Sequence, residues 1–401
     1  MEKMKWIFNE DARKDIKKTS LDDFSEKKIL KAKKFHESFL VYEKTPLVRL
    51  NSLSNALNIK DIFVKDESYR FGLNAFKVLG GSYAIGNFLA EKLGKDIDDI
   101  SFDYLKNKEV KEKLGNMVFT TATDGNHGRG VAWAASQLGQ NSVVYMPKGS
   151  SKIRLDNIIA DGAKASITDL NYDDAVRLSL KHANENGWEI IQDTAWEGYT
   201  KVPLWIMQGY GTMMLEIIEQ LKDLKGKKMT HLFLQAGVGA MAGAIQAVVA
   251  SIFKEDRPIT VIVEPNKADC IYKSALNKKI TNVTGDMQTI MAGLACGEPN
   301  PIGWDILKDY SDAYVSCPEY ISAKGMRILG NPIGEDKKVI SGESGAVTLG
   351  LLYEILTNED LKELKEELKL DENSLAVVIS TEGDTDPEHY RKIVWDGAYN
   401  K

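Results

Sequence analysis

Short runs of apolar, β-rich residues recur at Asp61 to Lys65, Met117 to Thr121, Ser142 to Met146, Trp188 to Gln192, His231 to Gln235, Ile259 to Val263 and Leu375 to Ile379. Each is short and largely unbroken by polar positions, the signature of a strand buried on both faces. Between them lie longer segments with helical spacing: Val78 to Lys92, Gly128 to Leu138, Lys152 to Ala160, Asp173 to Asn186, Pro203 to Leu224 and Ala240 to Phe253. Strand and helix alternate, which predicts an α/β protein with mostly parallel sheets flanked by helices. Late in the chain, Thr357 stands three residues before Asp360 and predicts the start of a helix with Leu361, Leu364 and Leu368 on one side. No internal repeat, low-complexity tract or Pro/Gly/Ser linker separates two halves, so domain limits must come from topology. Several β-α alternations fall between about Ala90 and Thr194, enough for a sheet of their own. The expectation is two domains, a larger one from 1–89 and 196–401 and a smaller one inserted at 90–195.

Length and charge narrow the class. A chain of 401 residues supports two sizeable cores. Its 52 basic and 58 acidic residues leave a net charge of -6 with the signs intermixed, which disfavours a nucleic-acid partner. The longest apolar stretch, Ala240 to Phe253, is interrupted by Gln246 and Ser251 and falls short of the ~20 residues that cross a bilayer. Met1 to Lys18 lacks the apolar core of a secretory signal, so the expected location is cytoplasmic, with no membrane partner. Cys270, Cys296 and Cys317 are odd in number and widely spaced, which suits reduced, buried thiols. No CxxC, HExxH or EF-hand pattern occurs, and no metal site is expected.

Candidate chemistry gathers at strand-to-helix junctions, where the first N-H groups of a helix point outward unpaired. The first junction is Asn74-Ala75-Phe76-Lys77, with Gly80 and Gly81 one turn later. A lysine at a helix N-terminus opposes the macrodipole, so it is either a solvated surface residue or an amine in use. The second, Thr120 to Gly130, joins hydroxyl residues to glycines in a loop whose N-H groups suit a carboxylate; Asp124 is anomalous there, and His127 is a base or a packing residue. The third, Gln235 to Gly243, is a glycine turn suited to a phosphate. It also fits G-x-G-x-x-A with Glu264 closing the next strand, which keeps an NAD-dependent dehydrogenase as an alternative. The fourth is Ser380-Thr381-Glu382-Gly383-Asp384, preceded by Ser341 to Gly345 opening another helix.

In this order the four junctions resemble the fold type II pyridoxal-phosphate enzymes. Lys77 looks like their Schiff-base lysine, Thr123 to Gly128 like their substrate-carboxylate loop, Gly237 to Met241 like their phosphate cup, and Ser380 like their partner for the pyridine nitrogen. Leu79 replaces the arginine usual two residues after the lysine in serine/threonine dehydratases, and Thr123-Asp124 replaces a serine and a small residue. Together with Lys65 to Ser68, Asp193 to Tyr199, Met291 to Glu298 and Glu382 to Asp386, these departures resemble the diaminopropionate ammonia-lyase family over about Glu37 to Trp395. The resemblance implies two domains of twisted, mostly parallel sheet, pyridoxal 5'-phosphate as cofactor, and a homodimer. It implies α,β-elimination of both enantiomers of 2,3-diaminopropionate to pyruvate and two ammonia. Lys77, Asp124 and Asp193 are implied as catalytic; Lys77, Asn126, Gly237, Val238, Gly239, Ala240, Met241, Glu343, Ser380 and Thr381 as cofactor-binding; Thr121, Thr123, Asp124, Gly125 and Asp193 as substrate-binding. Lys77 then serves as base for the L-isomer, Asp124 for the D-isomer, and Asp193 holds the distal ammonium. The alternatives are a serine/threonine dehydratase-like lyase, the dehydrogenase named above, and a cofactor-binding protein without turnover.

Overall fold

A computed structural model describes residues 3–123 and 125–400. Its strands are β1 (Lys5–Phe8), β2 (Leu47–Arg49), β3 (Asp61–Asp66), β4 (Val118–Ala122), β5 (Asn141–Met146), β6 (Lys164–Ile167), β7 (Glu189–Ile190), β8 (His231–Gln235), β9 (Ile259–Pro265), β10 (Ala313–Cys317) and β11 (Leu375–Ser380). They form two sheets. The larger has the order β1-β10-β9-β8-β11-β3-β2, parallel from β10 to β3 and closed at each edge by an antiparallel strand. The smaller, β6-β5-β4-β7, is wholly parallel. Every residue of β3, β8, β10 and β11 is buried, because helices cover both faces of the larger sheet and leave no room for polar alternation.

The helices predicted at Val78–Lys92, Lys152–Ala160 and Ala240–Phe253 occur with those bounds. Thr357 departs from its predicted role. It closes the Glu343–Thr357 helix with its hydroxyl donating to Tyr353 O at 2.8 Å, and Asn358 instead accepts from Asp360 N at 3.1 Å to start the next turn. A hydroxyl still inside a helix finds the carbonyl four residues back before it can cap the following one. Leu361, Leu364 and Leu368 are buried as their spacing required.

The Val78–Lys92 helix holds the two sheets' layers together. It packs on the Lys201–Asp223 helix and on Asn126–Gln137, which follows β4. Glycines make both approaches: a Cβ at Gly209 would lie 2.4 Å from Leu79 O, and one at Gly130 would lie 2.7 Å from Val78 Cα. Lys77, immediately ahead of this helix, is therefore fixed by backbone-to-backbone packing from two sides. No helix among the described residues is long and apolar enough to cross a membrane.

Candidate active site

A cavity of about 590 Å³ opens where the C-terminal ends of β4, β8 and β11 meet the starts of the helices that follow. It is within the range of small-ligand sites, and its position is the usual one for parallel α/β sheets. The first, second, third and fourth junctions all contribute lining residues.

Lys77 reaches into the cavity from the N-terminus of its helix, and its Nζ forms an ion pair with Asp193 Oδ2. Asp193 follows β7, 116 residues along the chain, and is 3% exposed. Burial by itself would push the Asp193 carboxyl up; the nearby cationic Lys77, with His127 and the Tyr172 hydroxyl donating at 3.1 Å, outweighs it and holds the carboxyl well below the usual range. Asn300 fastens this side to the glycine turn, since its Nδ2 donates to Asp193 O at 3.4 Å while its backbone N donates to Val238 O at 2.7 Å. Neither Tyr172 nor Asn300 stands out in sequence, because each acts through residues remote from it in the chain.

Opposite lies the Gly237-Val238-Gly239-Ala240-Met241 turn. Gly239 has φ +87° and begins the Ala240–Phe253 helix with no side chain capping it, so the first-turn N-H groups are open to an anion. A Cβ at Gly237 would come within 3.2 Å of Gly293 O, and one at Gly239 within 3.0 Å of Ile271 Cδ1. The turn is a cradle that side chains would fill. An amine at one end and an uncapped helix N-terminus at the other fit a phosphorylated aldehyde such as pyridoxal phosphate. Cys270 and Cys296 are buried and flank Gly237, and Cys317 is buried within β10.

The loop after β4 supplies Thr123 and Asn126 to the cavity wall. Thr123 Oγ1 accepts from Gly125 N at 3.0 Å, fixing the loop, and Asn126 Nδ2 donates to Glu382 Oε2 at 2.5 Å. Arg154 packs its aliphatic stem against Gly125 and donates from Nη2 to Thr385 Oγ1 at 3.1 Å, tying the loop to the segment after β11. Asp124 lies outside the described residues. Thr121 is not at the cavity: its side chain points to the opposite face of β4 from Ala122 and donates to Gln192 Oε1 at 2.9 Å. His127 lines the wall with Nε2 2.7 Å from Ile191 O, which makes it at least in part a packing residue.

Thr381 and Glu343 line the cavity, whereas Ser380 does not and has its Oγ 3.4 Å from Glu382 O. Glu343 is buried beside His389, whose Nδ1 is 2.6 Å from Glu343 Oε1; that hydrogen bond raises the imidazole pKa against the opposing effect of burial. Glu264, the acid of the dinucleotide alternative, points away and accepts from Ile271 N at 2.9 Å and Tyr272 N at 2.6 Å as the cap of the Cys270–Asn277 helix. That role takes Glu264 away from the glycine turn.

A family model for pyridoxal-phosphate dependent enzymes matches residues 39–381. The chain is 54% identical over 376 residues to the diaminopropionate ammonia-lyase of Escherichia coli (strain K12), spanning 94% of this chain and 93% of that protein. The crystal structure of the selenomethionine-incorporated holo enzyme from Escherichia coli superposes with a TM-score of 0.92 at 50% identity, covering 99% of this chain and 98% of that one. The same enzyme in complex with D-serine also gives a TM-score of 0.92, with 50% identity and the same coverage.

Proposed function

Starting from a chain that belongs to the pyridoxal-phosphate dependent enzymes, and among them to the diaminopropionate ammonia-lyase family, we propose that this cavity removes the α-proton and the β-amine of 2,3-diaminopropionate. With one water consumed, the products are pyruvate and two ammonia. The observation that carries this reading is the pairing of Lys77 with a buried carboxylate, Asp193, opposite an uncapped helix N-terminus. Pyridoxal phosphate, when bound, withdraws electrons from the substrate α-carbon and makes its proton removable.

The residues divide the remaining work. The turn from Gly237 to Met241 holds the phosphate by backbone N-H groups. Lys77 Nζ would hold the cofactor's aldehyde carbon and, as a free amine, would take the α-proton on its own face. Thr123 and the N-H group of Asn126 hold the substrate carboxylate and orient the α-hydrogen, while Gly125 N, committed to Thr123 Oγ1, shapes the loop rather than the carboxylate contact. Asp193 holds the distal ammonium, keeping it protonated so that it departs as ammonia. Asp124 is the base on the opposite face and serves the D-isomer. The E. coli relative's complex with D-serine supports a site open to D-amino acids.

The small sheet lies wholly within 118–190, which supports an inserted domain at 90–195. The homodimer implied by the resemblance and the cytoplasmic location expected from the sequence complete the reading. The test is direct. Borohydride should fix pyridoxal phosphate on Lys77, and the loaded protein should release pyruvate and ammonia from both enantiomers of 2,3-diaminopropionate. A labelled peptide from another lysine, or no pyruvate from either isomer, refutes it.

A further inference from the structure

We propose that Gln235 is a positioning residue that aims the Thr381 hydroxyl into the cavity as a hydrogen-bond donor, so that the cofactor's ring nitrogen is met by a proton it need not supply. The inference rests on the pyridoxal-phosphate reading above and assigns the donor to Thr381 rather than Ser380. Pairing of β8 with β11 ends at Phe233 with Val378. Beyond that point the Gln235 side chain takes over from the backbone ladder, with Nε2 donating to Ile379 O and to Thr381 Oγ1, both at 2.9 Å. Both amide protons are thereby spent. The opposite amide orientation would set Oε1 against Ile379 O, two acceptors facing each other, so the carbonyl dictates which way the amide lies.

A hydroxyl that accepts from Gln235 keeps one proton to give. Thr381 Oγ1 donates to no acceptor among the described residues, and Thr381 and Gln235 both line the cavity. Successive side chains at a strand end point to opposite faces, and the Ser380 hydroxyl is turned to Glu382 O instead. Gln235 is 1% exposed and its Oε1 has no partner, so a buried acceptor is left unpaired while the two donations are kept. A neutral hydroxyl against the ring nitrogen does not force protonation. A carboxylate in the place of the Gln235 amide would take the Thr381 proton for itself and leave an acceptor facing the ring.

The test compares the parent, Gln235→Glu, Gln235→Met, Thr381→Val and the double variant Gln235→Glu/Thr381→Val. Each cofactor-free protein is titrated with pyridoxal phosphate by absorbance, the bound spectrum is followed with pH, and unfolding of the cofactor-free forms is measured alongside. Gln235→Glu and Thr381→Val are each expected to bind about tenfold more weakly, the worth of one hydrogen bond. The double variant should bind no more weakly than Thr381→Val alone. Gln235→Glu should also shift the pH dependence of the bound spectrum, and Gln235→Met should weaken binding only where Thr381 is present. Additive losses in the double variant, or a Gln235→Glu protein with parental affinity and spectrum, overturn the inference. If Gln235→Glu does not fold, the same comparison with Gln235→Met decides. A parent that takes up no pyridoxal phosphate overturns the functional reading and this inference with it; a parent that binds normally beside additive variants overturns the inference alone.

Discussion

Asp193→Asn keeps the shape of the side chain and replaces the oxygen facing Lys77 with an amide NH2. In the cofactor-free protein two donors then oppose each other, with 3% of the Asp193 side chain and 18% of Lys77 exposed. Turning the amide over does not relieve this, because its NH2 would meet Gln192 Nε2, which donates to Asp193 Oδ1 at 3.3 Å. Removing one partner of a buried ion pair costs about 3–5 kcal/mol, and the access of Lys77 to the cavity places the loss near 3. At about 1.2 °C per kcal/mol for a chain of 401 residues, thermal unfolding should fall by roughly 3–4 °C. In the loaded enzyme Lys77 Nζ is committed to the cofactor, so the loss should shrink. The carboxyl is depressed in the folded state, so its stabilisation is complete above the unfolded value near 3.9 and fades as pH falls through the lower folded one. Parent and variant should therefore converge in acid. The measurement is circular dichroism melting of cofactor-free and loaded protein from about pH 2 to 8, with pyruvate release from each enantiomer expected to fall comparably. A cofactor-free variant as stable as the parent at pH 7, or a larger loss in the loaded protein, refutes the reasoning.

Gly239→Val forces a β-branched residue to φ +87° and sets its Cβ 3.0 Å from Ile271 Cδ1. Dialysis should then strip pyridoxal phosphate at least tenfold more readily than from the parent, and unchanged retention would place the phosphate elsewhere. Asp124→Asn should lose far more activity toward D- than L-diaminopropionate; equal residual rates for the pure enantiomers would eliminate the two-base assignment. His389 has its pKa raised chiefly by Glu343, so its stabilisation is full below about pH 6.5 and declines as pH rises through the higher folded value. His389→Gln should flatten the melting temperature between about pH 6 and 9, and an unaltered slope would discount the pair.

The junctions were legible because they are local. A lysine ahead of a helix, a glycine turn after a buried strand and a hydroxyl-glycine loop each complete themselves within about ten residues, and Lys77, Thr123, Asn126 and Gly237 to Met241 all line one cavity. Thr121 was assigned to the same loop as Thr123, yet it sits inside β4 with its hydroxyl on Gln192, while Thr123 lies beyond the strand's end at the cavity. Ser380 and Thr381 divide in the same way. Composition cannot say which of two adjacent hydroxyls faces a site; strand register does. The edge strands β1, β2 and β6, and β10 beside β1, were missed for a related reason. β1 gains its ladder only by pairing Lys5 to Phe8 with Ser316 to Ala313, some 300 residues away, and nothing in four residues of mixed character announces it.

The sequence by itself determined the α/β alternation, the long helices after Lys77 and Gly239, and the chemical types available at each junction, since periodicity and turn chemistry are properties of neighbouring residues. Tertiary structure alone decided which of those groups meet. It brought Asp193 to Lys77 across 116 residues, turned Glu264 away from the glycine turn to cap a helix, and laid Gln235 beside Thr381. A side chain's charge and donor pattern are written in its identity. Its partner is set by sheet order, strand register and the close helix approach allowed at Gly130 and Gly209, all of which depend on contacts between segments far apart in the chain.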